Sequence, residues 1–247
     1  AKRPAERYPD AEAAAEALAA ASGVALTSEN EGLRDSFLQA AKFIGRDAEL
    51  ARLRVALQGA LTGSGAVWLL GGESGVGKSR LLDELRSVAL VQGVQVLLGQ
   101  ATSDGAQGLG LFAALLRPLC LQVELLPLEA SVIKSLVPEL PALLGREVAD
   151  APVVDAQAAR LRLLSVLEAV LLRPSHPTLL ILEDLQWTTL DNLDLLRRLI
   201  PQLSGRPLLL IGTFRNEERA TLPAELPGTT STSTPSPGFH PLSNNTS

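Results

Sequence analysis

Three pieces follow one another without a spacer between residues 66 and 91: an apolar run, a glycine-rich turn and a helix-patterned segment. The turn reads Gly72-Glu73-Ser74-Gly75-Val76-Gly77-Lys78-Ser79 and fits G-x-x-x-x-G-K-[ST] at every fixed position. Before it, Ala66–Leu70 has the length and continuous apolarity of a buried strand. After it, Leu81, Leu82, Leu85, Val88 and Ala89 recur at helical spacing and share one face. A strand that hands over to a helix through such a turn commits this part of the chain to an α/β arrangement.

Each residue type in the turn has a physical task. Gly72, Gly75 and Gly77 let the backbone turn tightly, so that successive N–H groups face inward around an anion. The helix that begins there adds the positive end of its dipole. Lys78 brings a point charge to the β- and γ-phosphates of a nucleotide, and Ser79 brings a hydroxyl to Mg²⁺. Glu73, Ser74 and Val76 complete the loop, and Arg80 closes the candidate binding set in the first helical turn. The plain alternative is a glycine-rich turn with an incidental lysine. It sits poorly with the composition, because Lys2, Lys42, Lys78 and Lys134 are the only lysines among 22 basic residues. The expected ligand is a nucleoside triphosphate, ATP with Mg²⁺.

The rest of the chain extends the α/β pattern. Val94–Leu98, Thr178–Leu182 and Pro207–Gly212 read as further buried strands. Helices are expected over residues 46–61, 156–172 and 190–203, and over 111–146 with interruptions at Pro118, Pro127, Pro138 and Pro141. Strands that are continuous apolar runs, alternating with helices, predict a parallel sheet covered on both faces, a three-layer sandwich. With 46% hydrophobic residues and only 3% aromatics, its core must be built from Leu, Val and Ala. Three regions are expected. Residues 1–41 form a helical remnant, Ala-rich over 10–21, with a linker. Residues 42–226 form the α/β domain, and 227–247, rich in Ser, Thr, Pro and Gly, form a disordered tail.

Charge and cysteine usage narrow the partners. A net charge of −5 gives no global basic field for nucleic acid. Cys120 is the single cysteine, lies in the apolar stretch 115–123 and reads as a small buried hydrophobe; no internal disulfide is possible. No apolar run approaches the roughly 18 residues a membrane span needs, and no secretory signal opens the chain. The setting implied is reducing and cytoplasmic. The lack of any methionine reads as a piece of a longer polypeptide.

A second constellation lies about 105 residues beyond the loop. Leu179–Leu182 ends in Glu183-Asp184. On a strand beside the loop, one acid would hold the metal and the other would orient or deprotonate the attacking water. Glu183 falls at the metal position and Asp184 at the catalytic one. Acids that merely cap a strand are the alternative. Thr213-Phe214-Arg215 closes the last strand, where a polar tip residue could sense the γ-phosphate and Arg215 could pair with phosphate or with the acids. A surface arginine in a loop is the equal alternative. Gln186 could orient a water; Trp187 reads as packing.

These motifs together resemble a known family. Phe43-Ile44-Gly45-Arg46-Asp47-Ala48-Glu49-Leu50 is similar to the F-[IV]-G-R-x-x-E-L opening of AAA-type and STAND signalling ATPases. GGESGVGKSRLLDEL, LLILEDLQW and LLLIGTFRNEE continue the likeness in order, over about residues 42–220. The nearest likeness is the origin-recognition-like AAA ATPase module of large bacterial regulators. The resemblance implies that Gly45 and Arg46 pack near the adenine. It also implies Asp then Glu where Glu183 and Asp184 stand, His where Gln186 stands and Asp where Thr189 stands; these departures bear on water positioning. A fifth strand and a helical lid are implied after Arg215. The tail shows neither, apart from a faint likeness at Phe239-His240-Pro241-Leu242-Ser243, so both are expected to be missing. Arg7-Tyr8-Pro9-Asp10-Ala11-Glu12-Ala13 resembles the last helix of bacterial Ser/Thr kinase domains, although no kinase catalytic motif is present.

The function expected is an ATP-binding, slowly hydrolysing regulatory module of a multidomain signalling protein, with neighbouring domains as partners. The alternatives are a nucleotide-binding scaffold without turnover, a phosphotransferase with its acceptor in the 99–150 region, and a DNA-loading AAA protein. The last lacks a winged-helix segment and a basic balance.

Overall fold

The computed structural model describes residues 46–103 and 109–233. The chain divides into two compact units, Ala1–Asp47 and Ala48–Ser247. Of the first, only Arg46 and Asp47 are described; the Ala-rich stretch 10–21, the kinase-like segment 7–13 and Gly45 lie outside the described residues, as does Phe239–Ser243. None of the described helices is long and apolar enough to cross a membrane.

The second unit is a five-stranded parallel sheet with helices on both faces. Its strands are β1 (Ala66–Gly71), β2 (Gln95–Gln100), β3 (Thr178–Glu183), β4 (Leu208–Phe214) and β5 (Thr230–Ser233), in the order β2-β3-β4-β1-β5. The described helices are α1 (Asp47–Leu61), α2 (Lys78–Val91), α3 (Gly110–Cys120), α4 (Pro127–Ile133), α5 (Leu140–Leu144), α6 (Ala156–Leu171), α7 (Leu190–Leu199), α8 (Asn216–Arg219) and α9 (Leu222–Glu225). The chain moves one way across the sheet from β1 to β2 and the other way from β2 to β5. Right-handed crossovers therefore put α2 on one face and α6 and α7 on the opposite one.

The core follows from period two along the strands. Leu180 and Leu182 join a single apolar cluster with Leu115 and Phe112 of α3, Leu167 of α6 and Leu196 of α7. Leu179 and Ile181 are equally buried but point to the other face. The seven residues of β4 are all buried, as befits a strand flanked on both edges. Helix starts are fixed locally: the Asp155 carboxylate accepts from the Ala158 N–H at 2.9 Å, and the Thr189 hydroxyl caps α7. Gly65 enters β1 where a Cβ would stand 2.3 Å from the Leu203 carbonyl oxygen, so no side chain fits there.

Three expectations change. The C-terminal strand is present: Thr230–Ser233 pairs in parallel with β1, Trp68 opposite Thr230 and Gly71 opposite Ser233. Residues 230–233 therefore belong to the domain and not to a tail. An edge strand is held by its backbone ladder, so it needs no apolar side chains, and a Ser/Thr run hides it from a reading based on core material. Pro118 does not interrupt its helix but lies inside α3, close enough to the end that few bonds follow it. The helix expected over 190–203 stops at Leu199 and continues as a short 3₁₀ turn carrying Pro201.

Candidate nucleotide site

The glycine-rich turn joins β1 to α2. Gly75 and Gly77 adopt φ of 76° and 87°, which a side chain would strain. Lys78 opens α2 with its side chain folded back over the turn, and its Nζ donates to the Gly72 and Glu73 carbonyl oxygens at 2.7 and 2.8 Å. Arg80 is exposed and leans along α2 toward Glu84 at 3.4 Å, away from the turn.

The acids reach this turn across one strand. β4 lies between β1 and β3, so β3 is not the immediate neighbour that the sequence reading supposed. The reach is nevertheless short, because Glu183 ends its strand and projects beyond the sheet. The Ser79 hydroxyl donates to Glu183 Oε2 at 3.0 Å. Hydroxyl and carboxylate are hard oxygen donors of the kind Mg²⁺ takes, with the remaining positions left to phosphate and water. Among the described residues no cluster of three His, Cys, Asp or Glu forms a metal site by itself.

Asp184 is held differently from Glu183. It has φ 58° and ψ 41°, the one described non-glycine residue in the left-handed region. Its N–H donates to the Thr213 hydroxyl at 3.2 Å. Its carboxylate accepts from Gln100 Nε2 at 2.9 Å and from Gln186 Nε2 at 3.1 Å. Gln186 in turn accepts the Arg215 N–H at 3.1 Å, tying the tip of β3 to the end of β4. A non-glycine residue kept at positive φ by three such contacts is the strained, over-determined type that collects at functional sites.

Arg215 does not pair with the acids of β3. Its guanidinium sits 5.1 Å from the centre of the Trp187 ring and pairs with Glu218 at 2.8 Å. It therefore meets an acid, but neither Glu183 nor Asp184: Glu218 stands three residues along the chain, and the indole face offers a cation a second attraction. Trp187 donates its indole N–H to the same Glu218 at 2.8 Å. The segment 215–219 thus forms a strap beside the turn. Asn216 stands where a Cβ on Gly71 would meet its Oδ1 at 2.3 Å, and Glu217 Oε1 accepts the Ser74 N–H at 3.1 Å. The Glu217 carboxyl is held below its usual range, first by its own N–H and then by the Ser74 N–H and the Lys78 and Arg215 charges, against desolvation.

Gln100, Asn216, Glu217 and Glu218 escaped the sequence reading. Gln100 had a signal: it is the polar end of an apolar strand, in register with Glu183 across the β2–β3 ladder. The acids of the strap closed the segment LLLIGTFRNEE that carried the family likeness, but Asn-Glu-Glu after a strand reads as ordinary solvated polarity and gave them no role. Cys120 is buried and its thiol is pushed up to about 11 by desolvation, as an inert core residue should be.

Residues 42–211 match the family described as the AAA ATPase domain. An uncharacterized protein of Rhizobium meliloti (strain 1021) is 30% identical over 196 residues, which cover 70% of this chain and 18% of that protein. The chain thus spans less than a fifth of that relative. Among solved structures, the Aeropyrum pernix ORC1 protein in complex with DNA is 20% identical with a TM-score of 0.40, covering 77% of this chain and 45% of the other. Drosophila ORC bound to DNA is 14% identical with a TM-score of 0.39, covering 79% and 97%. Likeness at that level carries no argument about partners. On the motif order, the strand-turn-helix geometry and the match over most of its length, this chain belongs to the AAA ATPase domain family.

Proposed function

We propose that the chain is the ATP-binding module of a larger STAND-type signalling protein and that it hydrolyses ATP slowly. The observation that carries the reading is the Ser79–Glu183 contact at 3.0 Å, which joins the hydroxyl of the loop to the acid of β3. In this reading the inward N–H groups from Gly72 to Ser79 hold the phosphates, and Lys78 exchanges its two carbonyl partners for phosphate oxygens. Ser79 and Glu183 would hold Mg²⁺, which when bound would neutralise charge on the phosphates. Asp184, fixed by Gln100 and Gln186, orients water and takes its proton. Arg215 leaves Glu218 for the γ-phosphate. The short span relative to the Rhizobium protein supports a module whose nucleotide state biases neighbouring domains.

A phosphotransferase is less well supported. Arg117 pairs with Glu139, Lys134 with Asp150 at 2.8 Å, and Arg146 donates to the Leu125 carbonyl oxygen at 3.3 Å, so each cation of the 99–150 region has local work. The reading is tested by titrating MgATP into the wild type and Lys78→Ala. Binding should weaken at least about tenfold, the scale of one lost phosphate contact; equal affinities would overturn it. Asp184→Asn should keep binding and lose hydrolysis, and unchanged turnover would remove Asp184 from its role.

A further inference from the structure

We infer that Glu217 is an internal competitor for the phosphate loop: its carboxylate occupies the Ser74 N–H that a nucleotide phosphate needs, and so sets how tightly nucleotide binds. The inference rests on the nucleotide-binding reading above. Ser74 lies inside the loop, two residues after Gly72, and the backbone N–H groups of such a loop are what the nucleotide reading assigns to phosphate. Glu217 Oε1 takes that donor at 3.1 Å from 143 residues away in sequence. The contact is therefore made by the tertiary fold and not by local chain geometry.

The chemistry makes the contact exclusive. A carboxylate and a phosphate are both anions seeking the same N–H, and both are drawn to the Lys78 charge. Two anions a few ångströms apart repel, so nucleotide entry requires Glu217 to leave. Its position is set by short bonds on either side. Asn216 packs against Gly71 immediately before the loop, and Glu218 pairs with Arg215 and Trp187. Displacing Glu217 thus disturbs its two neighbours. Glu217 itself is exposed, so removing its charge empties no core.

The test uses the whole chain and MgATP as the probe, with affinities from equilibrium titration for wild type, Glu217→Gln, Glu217→Ala and Asp83→Asn. Asp83 is exposed on α2 and controls for the lost unit of charge. Both Glu217 variants should bind roughly three- to tenfold tighter than wild type, the span of one charge-assisted hydrogen bond to an exposed amide. Asp83→Asn should bind as wild type does. Wild type binding MgATP with Glu217 variants equal or weaker would overturn the competitor role and leave the nucleotide reading intact. Equal tightening in Asp83→Asn would also overturn it, as a bulk charge effect. Failure of wild type and all variants to bind MgATP would sink the nucleotide reading itself, and the competitor with it.

Discussion

At the scale of single residues, the site is a set of pinned carboxylates. Glu183 answers to Ser79, Asp184 to Gln100 and Gln186, Glu217 to Ser74, and Glu218 to Arg215 and Trp187. Removing one pin should change chemistry more than stability. Gln100→Ala frees one oxygen of Asp184, and turnover is expected to fall about ten- to a hundredfold with KM nearly unchanged, as for a group that orients a functional neighbour. Steady-state ATPase kinetics check this, and a matching rise in KM would count against it. A different carboxylate contributes to acid stability. Glu129 is buried and bidentate with Arg173, its oxygens 2.6 and 2.7 Å from the guanidinium. Arg173 first, then the Leu126 N–H, hold its pKa below 4.5 against desolvation. A depressed folded value means that this stabilisation is complete above about pH 4.5 and drains away as pH falls through the lower folded value. Urea midpoints of wild type and Glu129→Gln should therefore differ at pH 7 and converge toward acid pH.

At the scale of elements, close approaches decide what the sequence tolerates. A methyl on Gly65 meets the carbonyl oxygens of Leu203, Arg206 and Leu208 at 2.3, 2.7 and 2.7 Å, all backbone. Gly65→Ala should cost about 2–3 kcal/mol, the range of overpacking against atoms that cannot rotate away. In a domain of this size that lowers Tm by roughly 5–10 °C; an unchanged melt would show that the β1 entrance yields. The same scale explains what the sequence revealed. β1, the turn and α2 were legible almost to the residue, because apolar runs, glycines and a helical stripe each have one physical meaning. β5 was not legible, since Thr230–Ser233 carries no side-chain pattern and exists through its ladder to β1. Nor was the place of Arg215 legible, because a charge beside Trp187 and Glu218 has several acceptable partners and only the folded distances choose among them.

At the scale of the whole molecule, the sheet order makes β1 the strand with most to lose. It carries the phosphate loop, and its outer edge is covered by β5 alone. A chain ending at Thr229 would leave that edge open, with the outward-facing backbone donors and acceptors of Trp68–Gly71, those not bonded to β4, unpaired by strand. Such a chain should melt lower than the full one and associate at concentrations where the full chain stays monodisperse. Light scattering with thermal melts reads both effects; an unchanged melt and hydrodynamic radius would deny β5 its protecting part.

The register of that last strand has a mechanical consequence. Ser233 lies level with Gly71, one residue before the phosphate loop, and the two strands run in the same direction. Whatever chain follows Ser233 is thus tethered at the nucleotide end of the sheet. Tension on that tether would load the β1–β5 ladder in shear, along the strands, and would reach the loop across a single pair of residues. A four-residue shear joint of this kind is a short lever between a downstream load and the grip on phosphate.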